Sequence, residues 1–134
     1  MIKSNRRKFL TSAGALAAIS VAEGAPLSIK EKKVIAHQVY FWLKNPDSTE
    51  DRAELIKGIK TLRKIESVKK LTIGVVAPTE KRTVIDDTWA VSELALFNDL
   101  AGEAAYQVHP IHVDFVKNYS HLWAKVAVYD SIEV

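Results

Sequence analysis

Polar and apolar positions change period several times along this chain, and each change marks an element. Val34 to Leu43 is rich in β-branched and aromatic residues and stops at Asn45-Pro46, which predicts a first strand. Ser48 with Asp51 then reads as a capping box. Leu55, Ile56, Ile59, Leu62 and Ile65 recur at helical spacing through about Glu66, with Lys57, Lys60, Arg63 and Lys64 as the solvated face. Leu71 to Val76 predicts a short second strand, Pro78 to Arg82 a polar loop, and Thr88 to Phe97 a third strand. Asn98 or Asp99 is placed to cap a short helix reaching Tyr106, and Pro110 suits the first turn of another. On that last helix His112, Phe115, Val116 and Tyr119 are spaced i, i+3, i+4, i+7 and share one stripe. Leu122 to Tyr129 predicts the closing strand.

The order βαββαβ defines an α+β fold of the ferredoxin-like type, an antiparallel sheet with helices on one face. The other face should then be polar. In strand one, however, His37, Val39, Phe41 and Leu43 lie on one side and Tyr40 and Trp42 on the other. Strand four likewise sets Val126 and Val128 opposite Ala127 and Tyr129. A sheet apolar on both faces needs cover on both, and for so short a chain the simplest cover is a second copy packed sheet to sheet. The expected assembly is a homodimer in which two sheets form an α/β barrel. Trp42, Trp89 and Trp123 are read as core and interface mass.

Composition adds an address to this picture. At 134 residues the chain has material for one compact core, and its first part reads as a leader. Lys3 to Lys8 form a basic segment, Phe9 to Val21 a mildly apolar run, and Ser20-Val21-Ala22 offers small residues for cleavage, with Gly24 as a second possible site. Asn5-Arg6-Arg7-Lys8-Phe9-Leu10 resembles the twin-arginine export motif. The expected organisation is a signal peptide over 1–22, a linker over 23–33 and one domain over 34–134. Its expected location is periplasmic or otherwise extracytoplasmic, with no membrane attachment after cleavage. The formal charge of +3 comes from the leader: without Lys3, Arg6, Arg7 and Lys8, 15 basic residues face 16 acidic ones. Such a balance gives no support to nucleic-acid binding. The absence of cysteine excludes disulfides, thiol chemistry and Cys-ligated metal.

The segment Tyr106-Gln107-Val108-His109-Pro110-Ile111-His112 reproduces a Y-x-x-H-P-x-H signature nine residues after Phe97. Together with His37 in strand one and the stretch from Trp123 to Asp130, it makes the region from Val34 to Tyr129 resemble the stress-responsive A/B barrel (Dabb) family. Gly102-Glu103 departs from the family pattern, where a Leu is usual. The resemblance implies a homodimeric α/β barrel with a small apolar pocket between each sheet and its helices. It further implies that, where members are cofactor-free cyclases, the last His of the signature is the general base and the Tyr positions the substrate. Those roles would fall on His112 and Tyr106.

Chemistry is consistent with that transfer, because an imidazole with a pKa near 6.5 is a usable base near neutral pH. The competing reading is that His112 only holds its helix against the sheet. Candidate ligand contacts are His37, Val39 and Phe41 from strand one with Val126 from strand four. Phe115 and Tyr119 join them from the stripe. Glu93 is the oddity, a carboxyl in mid-strand among Val91, Leu94, Ala95 and Phe97, where an unpaired charge is costly. On the pocket side it would pair with a histidine or a polar ligand group; at a rim it would be wet or paired with a lysine. His109, beside Pro110, reads as a structural cap. His37, Glu93 and His112 have the ligand types of a two-histidine, one-carboxylate metal site, but without supporting spacing we assign neither metal nor cofactor. The expected function is binding of a small, mainly apolar ligand or stress protection. The alternatives are a cofactor-free cyclase, lyase or isomerase using His112, and, from the shared architecture, a dimeric-barrel monooxygenase or haem-handling protein.

Overall fold

Alternation in the first strand is realised in full: from Ile35 to Leu43 every second side chain is buried and the intervening ones are half-buried. In the computed structural model, which describes residues 33–134, this is β1. The leader and most of the linker lie outside the described residues. The 3.6-residue period that follows becomes α1, Thr49–Thr61, continued by a 3-10 turn over Leu62–Lys64. Ser48 Oγ accepts a hydrogen bond from the Asp51 N–H at 3.1 Å, and Glu50 and Asp51 place negative charge in the first turn, where the helix dipole favours it. Only half of the capping box forms, because the Ser48 N–H donates to the Asn45 carbonyl instead. Leu55, Ile59 and Leu62 are fully buried at i, i+4, i+7.

Strand β2 spans Lys70–Gly74 and β3 Val91–Phe97. Both are shorter than the alternation predicts. Thr88 is held in a turn by its own N–H and hydroxyl, which both donate to Asp86 Oδ1, so β3 begins only at Val91. Gly74 pairs with Ser92, and the ladder therefore runs out before Val75 and Val76. Helix α2, Leu100–Val108, is capped by Asp99, whose Oδ1 accepts from the Gly102 N–H at 2.8 Å. Helix α3, Pro110–Tyr119, follows directly, with Pro110 in its first turn. Its cap is His109, whose Nδ1 accepts from the Ile111 N–H at 3.1 Å. That nitrogen must be unprotonated, so the ring's proton sits on Nε2, 3.2 Å from Glu66 Oε1. A 3-10 turn over Ser120–Leu122 leads into β4, Trp123–Ile132, which runs three residues past the predicted end.

The sheet order is β2-β3-β1-β4, with every adjacent pair antiparallel. This is the ferredoxin-like arrangement. One core lies between the sheet and the helices, built on Phe41, Val91, Ala95 and Phe97 from the strands, Leu55, Ile59, Leu62 and Ile65 from the first helical region, and Tyr106 and Phe115 from the last two helices. Burying side chains of this size contributes roughly 1.5–3 kcal/mol each. On the opposite face Tyr40 meets Trp89 and Tyr129 edge to face, at ring centroid separations of 5.1 and 6.2 Å, with no helix of the described residues over them. Tyr129 is 64% exposed within one chain. No helix among the described residues is long and apolar enough to cross a membrane.

Candidate functional site

Register decides which side chains meet under the helices. His37, Val39 and Phe41 of β1 stand directly opposite Asp130, Val128 and Val126 of β4, and Val39 also stands opposite Glu93 of β3. Directly opposed residues point to the same face, so this whole set faces α2 and α3. With Tyr106, His112 and Phe115 from those helices it surrounds a cavity of about 240 Å³. Trp123 and Val116 complete the apolar wall, and Val126 and Val128 at the β4 edge remain exposed.

Glu93 lies on the cavity side and is 2% exposed. Its partner is Tyr106 rather than a histidine: the phenol donates to Glu93 Oε2 at 2.8 Å. Burial pushes the Glu93 carboxyl up from its ordinary value, opposed by the Tyr106 hydrogen bond and by His37. Burial raises the Tyr106 phenol as well, reinforced by the adjacent Glu93, so it stays protonated and remains a donor. Its hydroxyl is therefore committed to the protein.

His37, 4% exposed, is fixed by Asp130, with Nδ1 2.6 Å from Oδ1. A carboxylate only accepts, so Nδ1 carries the proton and Nε2 is the nitrogen left for other partners. The His37 ring also sits edge-on to Tyr106, at a centroid separation of 5.5 Å. His112 is half-buried beside Tyr106, 4.6 Å between centroids. Burial lowers its pKa below the ordinary 6.5; the Gln107 backbone opposes this, His37 adds to it, and Glu103 opposes it. Near neutral pH it is an uncharged imidazole.

Of the residues singled out from sequence, Tyr119 does not reach this cavity. It lies two turns beyond His112, roughly 10 Å along the helix, where it stacks on Phe115 and covers Gly58 of α1. It lines a separate groove with Thr61 and Ile111. Asp130, conversely, escapes notice in the sequence because the predicted strand stops at Tyr129. Extending the alternation Val126, Val128 by one step places it on the same face. The metal set suggested by residue type, His37, Glu93 and His112, gives way to another grouping. Ligating atoms of His37, Glu103 and Asp130 lie within 4.8 Å of one another. The His37–Asp130 hydrogen bond accounts for two of the three converging without an ion.

The arrangement can hold a small molecule against an apolar wall and present it with a neutral imidazole, a second imidazole fixed by a carboxylate, and a phenol–carboxyl pair. Fold and site together define a ferredoxin-like α+β domain with a small cavity between its sheet and its last two helices. Residues 35–133 match the Stress Responsive A/B Barrel Domain, and the chain belongs to that family.

Solved structures carry the same fold. A Dabb family protein from Mesorhizobium loti superposes with a TM-score of 0.62 at 22% identity, over 76% of this chain and 98% of that one. A protein of unknown function from Thermobifida fusca, described as dimeric and ferredoxin-like, gives 0.63 at 16% identity, over 77% and 93%. The hydroxynitrile lyase from Passiflora edulis gives 0.64 at 18% identity, over 77% and 95%. A search of curated proteins returns no match.

Proposed function

We propose that this protein is an exported homodimer that holds a small, mainly apolar ligand in the cavity between sheet and helices. The observation that carries this reading is the cavity itself: about 240 Å³, walled by Phe41, Phe115, Trp123 and valines, with six polar side chains around it. Ligand sites have that composition, an apolar surface with a few placed polar groups, although drug-sized ones are larger, about 300–1,000 Å³. Export is supported by Arg6-Arg7 with Phe9 and Leu10 ahead of an apolar run. A second copy is supported by the apolar face around Tyr40, Trp42 and Tyr129, and by solved proteins of this fold being described as dimeric.

One experiment addresses all three parts. Native mass spectrometry of protein recovered from its own cell envelope should show a dimer of processed chains carrying a small molecule on each subunit. Bare monomers would overturn the reading. An Arg6→Lys, Arg7→Lys variant should stay in the cytoplasm as precursor, whereas normal processing would leave only a general secretory leader.

A second reading, a cofactor-free lyase, isomerase or cyclase with His112 as base, is favoured by one specific observation. His112 lines the cavity as a neutral imidazole, the form a general base requires. A hydroxynitrile lyase shares the fold, so this architecture carries a lyase in another protein. His112→Gln separates the two readings once the ligand is known. A positioned base contributes on the order of 10²–10⁴ in rate, whereas a binding contact of His112 should change affinity by about tenfold or less.

A further inference from the structure

The hydrogen bond from Tyr106 occupies only one of the two carboxyl oxygens of Glu93. Glu93 stands in a central strand with Val39 on one side and Ile73 on the other, on the face that packs the core. A buried carboxyl there is costly unless its oxygens are satisfied. Tyr106 satisfies Oε2 at 2.8 Å, and among the described residues no donor reaches Oε1. Glu93 is part of the cavity wall, and Oε1 is not among the fully enclosed polar atoms that lack a partner, so it keeps open contact with the ligand space.

Apart from two imidazoles, the groups around that space that can carry a full charge are all acidic. Glu93 and Asp130 line it, Glu103 stands close to His37 and Asp130, and no lysine or arginine is among the lining residues. Of the two imidazoles, His112 is kept neutral by burial, and His37 is bound to Asp130. A positive ligand group would meet a favourable field, and a carboxylate an unfavourable one. Phe41, Phe115 and Trp123 are mutually packed, with centroids 5.0–6.3 Å apart, and give the same space an apolar wall for a hydrocarbon group.

We propose that the cavity selects a protonated apolar amine, whose ammonium group donates to the free Glu93 oxygen while its hydrocarbon part lies on Phe41, Phe115 and Trp123. This deepens the ligand-binding reading and rests on it. Raising of the Glu93 carboxyl by burial fits the assignment, since an arriving cation restores its charged form.

Three probes of one shape test it: 2-phenylethylamine, 2-phenylethanol and phenylacetate, titrated calorimetrically into the mature dimer at about pH 8, where the amine is still protonated. The ammonium should bind on the order of tenfold tighter than the alcohol, because a charge-assisted hydrogen bond exceeds a neutral one, and phenylacetate should bind most weakly. In Glu93→Gln, where the amide keeps an acceptor for Tyr106 and removes the charge, the ammonium should lose that advantage while the alcohol changes by about threefold or less. Equal binding of ammonium and alcohol by the wild-type protein overturns the amine assignment and leaves the cavity reading standing. So does a preference that survives Glu93→Gln but disappears in Asp130→Asn. Failure of all three probes to bind removes the cavity reading and this inference together. Because the wild-type comparison is decisive alone, a poorly folding variant does not rescue the proposal.

Discussion

Two titratable side chains of the cavity, the buried Glu93 and the half-buried His112, pull stability in opposite directions with pH. Folding raises the Glu93 carboxyl above its ordinary value of 4.5, so between 4.5 and the raised value the folded chain binds more protons than the unfolded one. Its contribution is fully present below about 4.5 and is lost as pH rises through the folded value. Folding lowers the His112 imidazole below 6.5, so the unfolded chain binds more protons in the window just beneath that value. Its contribution is present above about 6.5 and is lost as pH falls through the lowered value. Urea unfolding midpoints across pH should therefore respond to two substitutions with opposite signs. Glu93→Gln should remove a decline of stability with rising pH above 4.5, and His112→Gln a decline with falling pH below 6.5. Parallel pH profiles for wild type and both variants would contradict the burial-driven shifts. Tyr106 links the pair, since its hydroxyl bonds Glu93 and its ring touches His112. For that reason the two effects should not be strictly additive in the double variant.

At the scale of elements, α3 has two tasks at different heights. Its first turn puts His112 on the cavity, and its last turn puts Tyr119 on α1. The second contact depends on Gly58 in the last turn of α1. A Cβ built there would lie 2.7 Å from the Tyr119 ring, closer than real packing allows. Helix propensity favours alanine over glycine by about 0.8–1.0 kcal/mol, so on an open helix face Gly58→Ala would stabilise. Here overpacking should dominate, at roughly 1–3 kcal/mol. Gly58→Ala should lower the unfolding free energy, and combining it with Tyr119→Ala should recover part of the loss. A stabilised Gly58→Ala would mean that α3 yields freely and that its position over the sheet is not held by this contact.

For the molecule as a whole, the sheet face that the described helices leave bare is the surface on which the proposed dimer turns. Tyr129 offers a clean test because it is 64% exposed in one chain, so a charge placed there costs the isolated subunit little. In the proposed sheet-to-sheet dimer the same charge is buried without a partner, at a cost of several kcal/mol. Tyr129→Glu should therefore leave the circular dichroism spectrum intact and weaken dimerisation about 100-fold or more in sedimentation equilibrium. Undiminished dimerisation would place the partner elsewhere. A wild-type domain that sediments as a monomer at micromolar concentration would remove the dimer altogether.

The periodicity of single segments was enough to determine the order of elements and hence the ferredoxin-like class. Strand one alternates over nine residues, Leu55, Ile59 and Leu62 repeat at helical spacing, and Asp99, His109 and Pro110 carry local capping chemistry that acts within a few residues of itself. The Y-x-x-H-P-x-H segment similarly placed Tyr106 and His112 on consecutive helices beside each other. What local pattern did not contain was anything set by pairing between distant strands. Whether Glu93 faced the cavity depended on the β1–β3 register, and its bond to Tyr106 on how α2 lies across β3. The His37–Asp130 bond joins residues 93 positions apart. Tyr119 shares a stripe with His112 in one dimension but parts from it in three, because the cavity spans only the first turns of α3 and α1 crosses the rest. Side-chain alternation states which residues share a face; only the register of strands and the packing of helices decide which of them meet.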